Sequence, residues 1–168
     1  MSTNYILAGD EVTERINRIT LAYHRHLETL RIDALFAFAE DREPTLTHGG
    51  YPAIATVRIV PTKDRAAGLG DAMIVIDQAT WIDLSNERRD AVIDHELTHL
   101  LVVTDDNMRI KTDNLGRPKL EMRKHDRQFG WFDDVANRHG ENSIEVKQAR
   151  QFIEETGQTY LDFAEVAV

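Results

Sequence analysis

Residues 85–103 read SNERRDAVIDHELTHLLVV, and this stretch decides the fold. Ser85 suits a helix N-cap, with Arg88 standing where a capping box would place Glu. The pattern predicts a helix from there to about Val103, stopped by Asp105 and Asp106. Inside it lie His95, Glu96 and His99, in the order H-E-x-x-H. At about 100° per residue, the two imidazoles project from one side of the helix, one turn apart. Glu96 borders the same face, while Ile93, Leu97, Leu100 and Leu101 fall opposite. Two nitrogen ligands one turn apart, with a carboxylate beside them, are what a helix needs to hold Zn2+ and to take a proton from an activated water. The bland alternative is a pair of surface histidines on a charged helix.

Two ligands do not make a tight site, so a third is expected. Asp105 sits where a compact H-E-x-x-H-x-x-G-x-x-H/D pattern would put it, but position 102 is Val instead of the Gly that lets the chain turn back. Glu121 has the long spacing of some zinc helices, in a locally strand-like stretch. Asp126 could equally cap a helix, and His139 is more distant. His125, at the junction of a hairpin and the next helix, is the preferred third ligand. Its neighbours Arg123, Lys124 and Arg127 also allow it simply to be exposed.

Working outward, Asp10 or Thr13 could cap a helix whose apolar positions, Ile16, Ile19, Tyr23, Leu27, Leu30 and Ala34, carry it to about Ala39. Residues 40–50, with Pro44, Gly49 and Gly50, read as a loop. Ala53 to Val60 alternates like a strand, Pro61 ends it, and residues 61–70 form a turn. Ala72 to Ile76 is a continuous apolar run that suits a buried strand. Trp81, Ile82 and Leu84 form a short apolar linker. Residues 108–112 and 118–123 read as two strands joined by DNLG. Asp126 could cap a helix to about Arg138, and Ser143 to Glu155 forms a last helix before Gly157. The tail from Gln158 has some apolar content. The order is that of an α+β chain with a small sheet against helices.

At 168 residues the chain is one domain, with a core over about 10–157. The absence of cysteine excludes disulfides and thiolate ligands, so a metal must be held by His, Asp or Glu. No apolar run reaches the roughly 18 residues of a membrane span. The N-terminus lacks the pattern of a signal peptide, so the expected location is cytoplasmic. A net charge of −9 argues against a global nucleic-acid footprint. Residues 109–127 nevertheless carry seven basic groups against three acidic ones. That segment is either a solvated hairpin or a basic lip favouring acidic substrates or nucleic acid.

HELTHL at 95–100, the acidic stretch after it, LEMRKHDRQFGWF at 120–132 and the helix ending near RHG at 138–140 resemble the putative phage metallopeptidase domain family. DAMIVIDQATWIDL at 71–84 resembles that family's strand and Trp segment. The resemblance runs from the first helix to about Gly140. It implies a small zincin-like domain with a short mixed sheet on helices, in the host cytoplasm if phage-encoded. It implies zinc on His95, His99 and the histidine of the downstream HD pair, His125, with Glu96 catalytic. It carries no established substrate.

The expected function is zinc-dependent hydrolysis of a peptide or protein amide, with Glu96 as general base. Arg123, Arg127, Tyr51 and Tyr160 are candidate oxyanion donors, and Asp94 or Asp126 could orient a ligand histidine. A substrate strand could pair with an edge at Ala72–Ile76 or Ala53–Val60. The competing expectations are a metal-stabilised binding protein and a nucleic-acid or assembly-associated factor acting through the basic hairpin.

Overall fold

The computed structural model describes residues 3–126 and 131–156, the last few of these as backbone alone. The first helix, α1 (Asp10–Tyr23), starts with Asp10 and Glu11 in its first turn, where acidic groups favour the helix dipole. Val12, Ile16 and Ile19 give it one buried stripe. It stops far short of Ala39. The chain leaves the helix at His24, passes through a 3-10 turn (Arg25–Leu27), and continues as a strand, Ile32–Phe38. This corrects the long helix expected from the apolar spacing. IDALFAF is an apolar run that a buried strand tolerates as readily as a helix does, and its partners across the sheet decide which forms.

The main sheet has four strands in the order β1 (Asn4–Leu7), β2 (Ile32–Phe38), β6 (Ala72–Asp77), β5 (Ala55–Ile59). Two further short strands, β3 (Thr47–His48) and β4 (Tyr51–Pro52), form a separate ribbon. β1 and β2 are antiparallel, β2 and β6 parallel, and β5 and β6 antiparallel. The expectation of a small mixed sheet on helices in an α+β domain therefore holds. β1 itself was not foreseen. β6 is interior and cannot offer an edge, which removes one of the two expected substrate-pairing strands; β5 is at the border.

The core lies between this sheet and two helices, α1 and α4 (Asn86–Thr98). Val12, Ile16 and Ile19 meet Ile74 and Ile76 of β6 and Val92, Ile93 and Leu97 of α4. The two helices are tied together where Arg15, almost buried, reaches Asp90 and Asn86 across α4's first turns. The stretches expected as a turn and a linker each contain a short helix, α2 (Thr62–Ala66) and α3 (Gln78–Ile82). Asp77 caps α3 by accepting from Thr80 N–H at 2.9 Å, and its other oxygen accepts from the N–H groups of Thr45 and Leu46. Burial alone would raise the Asp77 pKa. These donors outweigh it and hold the carboxyl below the usual carboxylate range.

Ser85 caps α4 as expected, accepting from Arg88 N–H. The helix ends at Thr98, not Val103. Leu100–Val102 instead forms β7, paired antiparallel with β8 (Leu120–Met122). The β-branched residues after His99 favour the extended chain. Residues 118–123 thus pair mainly with the continuation of α4, and 108–112 contribute only isolated bridges, Thr104 to Ile110 and Thr112 to Pro118. The DNLG turn is present, with Gly116 at φ 74° and Asp113 accepting from Leu115 and Arg117 N–H. The helix expected from Asp126 begins at Asp133 as α5 (Asp133–His139); residues 127–130 lie outside the described residues. The last helix among the described residues is α6 (Ile144–Thr156), and the tail expected to pack back lies outside them.

Candidate metal centre

Three elements meet at one point. The last turn of α4 supplies His95 and, as its C-cap, His99. β8 runs back alongside β7, and Arg123 N–H bonds to the His99 carbonyl at 2.7 Å. That return delivers His125 two residues later. His95, His99 and His125 form a group whose ligand atoms all lie within 4.8 Å of one another. The Nε2 atoms of His95 and His125 are 3.2 Å apart. Two imidazole nitrogens on a tetrahedral ion at 2.0–2.1 Å would be about 3.3 Å apart, so the spacing suits a metal ion.

The opposite side of two of these rings is already committed. His99 Nδ1–H donates to the Arg123 carbonyl at 2.8 Å; a carbonyl can only accept, so this tautomer leaves the Nε2 lone pair free. His95 Nδ1–H donates to Glu145 Oε1 at 2.7 Å. Glu145 sits in the first turn of α6 and is 1% exposed. A carboxylate behind a ligating histidine fixes its orientation and raises its basicity. Beneath the cluster, the fully buried ring of Phe132 lies with its centroid 4.9–5.0 Å from all three imidazole centroids. Neither Glu145 nor Phe132 is marked as a site residue by its local sequence. The nearest signal is position: an aromatic seven residues past the third histidine, and a Glu in the first turn of an amphipathic helix.

Burial and the charges of His95, His125 and His48 push the His99 pKa down to about 4, against the Arg123 carbonyl. Burial and the neighbouring imidazoles lower His125 as well. Both rings are therefore neutral near pH 7 and able to donate a lone pair. For His95, burial works downward but the carboxylates of Glu145 and Glu96 prevail and raise it. Glu96 is 5% exposed. Burial raises its carboxyl to about 7, despite His95 and the Val57 N–H, which favour the charged form.

A cleft of about 510 Å³ opens over the cluster, lined by His48, Tyr51, Met122 and Ile144 and along one side by β5. Asp77 N–H bonds to the Ile54 carbonyl and Val60 N–H to the Asp71 carbonyl, so alternate residues of this strand face β6. Ala55 and Val57 turn their main-chain polar groups the other way, toward the cleft, consistent with the Val57 N–H meeting Glu96.

The other candidates are elsewhere. Asp105 caps its own turn by accepting from Asn107 and Arg109 N–H. Glu121 is exposed on β8. Asp126 accepts from Arg123 at 2.8 Å and from Asp133 N–H, the start of α5. His139 is bound to Asp94. Asp94 does not orient a ligand histidine: its buried carboxylate turns away from the cluster and gathers His24, Arg138 and His139. This follows from its position 100° around the helix from His95. Among the candidate oxyanion donors, Arg123 is occupied by Asp126 and lies over the Phe132 ring. Tyr51 lines the cleft, and Arg127 and Tyr160 lie outside the described residues. The basic segment is partly neutralised as well, since Arg117 pairs with Asp71 at 2.8 Å. No described helix is long and apolar enough to cross a membrane.

The described residues form a small α+β domain that gathers three imidazoles, able to hold a metal ion, between a helix end and a returning strand, beside a sheet border. The model of the putative phage metallopeptidase family matches residues 4–156, and the chain belongs to that family. No curated protein and no solved structure matches it.

Proposed function

We propose that the protein is a zinc-dependent peptidase in which His95, His99 and His125 hold the ion and Glu96 is the general base. The observation that carries this is the convergence of three imidazoles with their outer nitrogens committed to Glu145 and to the Arg123 carbonyl. An all-nitrogen set with closely spaced donors suits Zn2+ better than the oxygen-seeking Ca2+ or Mg2+. When bound, zinc supplies a Lewis acid that lowers the pKa of a water and polarises a carbonyl.

The rest is done by the chain. Glu96, with its carboxyl near neutrality, accepts a proton from the attacking water and returns it to the departing amine. A substrate in extended conformation lies along β5 and pairs with the outward main-chain groups of Ala55 and the carbonyl of Val57. The Val57 N–H favours the charged form of Glu96. Phe132 closes the floor and excludes water from behind the imidazoles. A peptide or protein is the substrate class that this edge accommodates.

The test is Glu96→Gln, assayed on a peptide library with zinc content measured in parallel. The account expects zinc retained and hydrolysis reduced by about 10²–10⁴-fold. Turnover within tenfold of the unaltered protein would reject Glu96 as the base. Zinc retained with no hydrolysis by either protein would point to a metal-stabilised binding protein.

A further inference from the structure

The ribbon of β3 and β4 contributes to the lining of the cleft and lies outside the hydrophobic core. Its turn residues, Gly49 and Gly50, both have positive φ, +57° and +86°. That is the requirement of a two-residue type I′ hairpin turn. The turn pairs His48 directly opposite Tyr51. Directly opposed residues project from the same face of a ribbon, with Cβ atoms about 4.5–5.5 Å apart. His48 and Tyr51 both line the same cleft as His95, Glu96, His99 and His125.

The ribbon is anchored at its base. Asp77 Oδ2 accepts from Thr45 and Leu46 N–H at 2.7 and 3.0 Å, Ala53 N–H bonds to the Leu46 carbonyl, and Thr45 pairs with Thr3. Its tip is different: Tyr51 is 77% exposed, and neither the His48 nor the Tyr51 side chain has a hydrogen-bond partner among the described residues. Two polar rings are thus held on a fixed support beside a metal site, and folding makes no use of their donors.

We propose that His48, with Tyr51 beside it, donates hydrogen bonds to the scissile carbonyl oxygen as it takes up negative charge. This inference rests on the peptidase reading above and adds the group that reading lacks. Arg123 is turned toward Asp126 and the Phe132 ring. The pair lines the same cleft as β5 and the imidazoles, so a carbonyl bound there has their donors within the same cavity. Donors aimed at an oxygen that becomes charged only along the reaction stabilise the transition state more than the bound substrate.

The experiment uses zinc-loaded full-length protein and two probes: a phosphinic dipeptide, which mimics the tetrahedral centre, and an ordinary dipeptide, which does not. Binding is followed by calorimetry and zinc by elemental analysis, for His48→Ala, His48→Gln and Tyr51→Phe. His48→Ala should keep its zinc, lose about 100-fold in phosphinate affinity, and change by less than threefold toward the ordinary dipeptide. Tyr51→Phe should behave likewise with a smaller loss, and His48→Gln, which keeps an N–H donor, should recover part of it. Equal loss on both probes, no loss on either, or loss of zinc in His48→Ala would overturn the assignment. An unaltered protein that binds zinc but no phosphinate would overturn the peptidase reading and this inference with it.

Discussion

Replacing Glu145 by alanine removes the acceptor behind His95. In the folded protein Glu145 Oε1 takes the His95 Nδ1–H at 2.7 Å, in a setting where both residues are buried. Without it the ring can rotate and can adopt the tautomer that carries its proton on Nε2, the nitrogen needed for metal. Loss of such a partner typically weakens metal binding 10–100-fold, or about 1.4–2.7 kcal/mol. The donor left behind, buried and unpaired, adds roughly 1–3 kcal/mol of destabilisation to the metal-free protein. Glu145 Oε2 has no partner among the described residues. Glu145→Gln therefore keeps the one acceptor that is used, and it should fold as well as the unaltered chain while binding zinc more weakly. The assay is zinc affinity by competition with a chromogenic chelator, alongside denaturant unfolding in EDTA. Unchanged zinc affinity in Glu145→Ala, with the fold intact, would refute the claim that this carboxylate positions His95.

Asp94→Asn should cost about 3 kcal/mol or more in denaturant unfolding, because Arg138, His24 and His139 lose a common buried partner. Burial alone would raise the Asp94 pKa, but the hydrogen bonds from His139, His24 and Arg138 prevail and hold it far below the usual range. Its contribution should therefore be full above about pH 4 and drain away as the pH falls through the depressed folded value. A stability profile flat from pH 6 to pH 2 would contradict this. Gly70→Ala should destabilise by about 1–3 kcal/mol, since a Cβ there would stand 2.6 Å from the Arg31 carbonyl oxygen at the β2 entrance. A thermal midpoint unchanged within a degree would show that the backbone gives way freely.

Much of the site could be read from residue types and helical spacing, because His95, Glu96 and His99 sit within one turn of one another. His125 was reachable because it follows a turn signal that brings the chain back, although the strand it follows pairs with the extension of α4 instead of residues 108–112. The second layer was illegible. Glu145 lies 50 residues from His95 and Phe132 belongs to an aromatic-rich stretch like many cores, and nothing local marks either as facing a metal. The fold class was legible from the order of elements, but the length of α1 was not. Leu27, Leu30 and Ala34 satisfy a helical spacing, yet Leu27 closes a 3-10 turn and Ala34 is in a strand. Short apolar runs carry both periodicities, and only the parallel pairing with β6 resolves them. The whole of 91–98 is buried because the helix has core on one side and the imidazole cluster on the other. A single apolar stripe is therefore a poor guide to it.

The central claim is that three side chains grip one ion, the last of them arriving from beyond β8. Elemental analysis after exhaustive dialysis, on the unaltered protein and on His125→Ala, tests it most directly. One zinc per chain is expected in the first and a substoichiometric amount in the second, with secondary structure preserved in both. Full zinc retention by His125→Ala, or no metal above background in the unaltered protein, would contradict it.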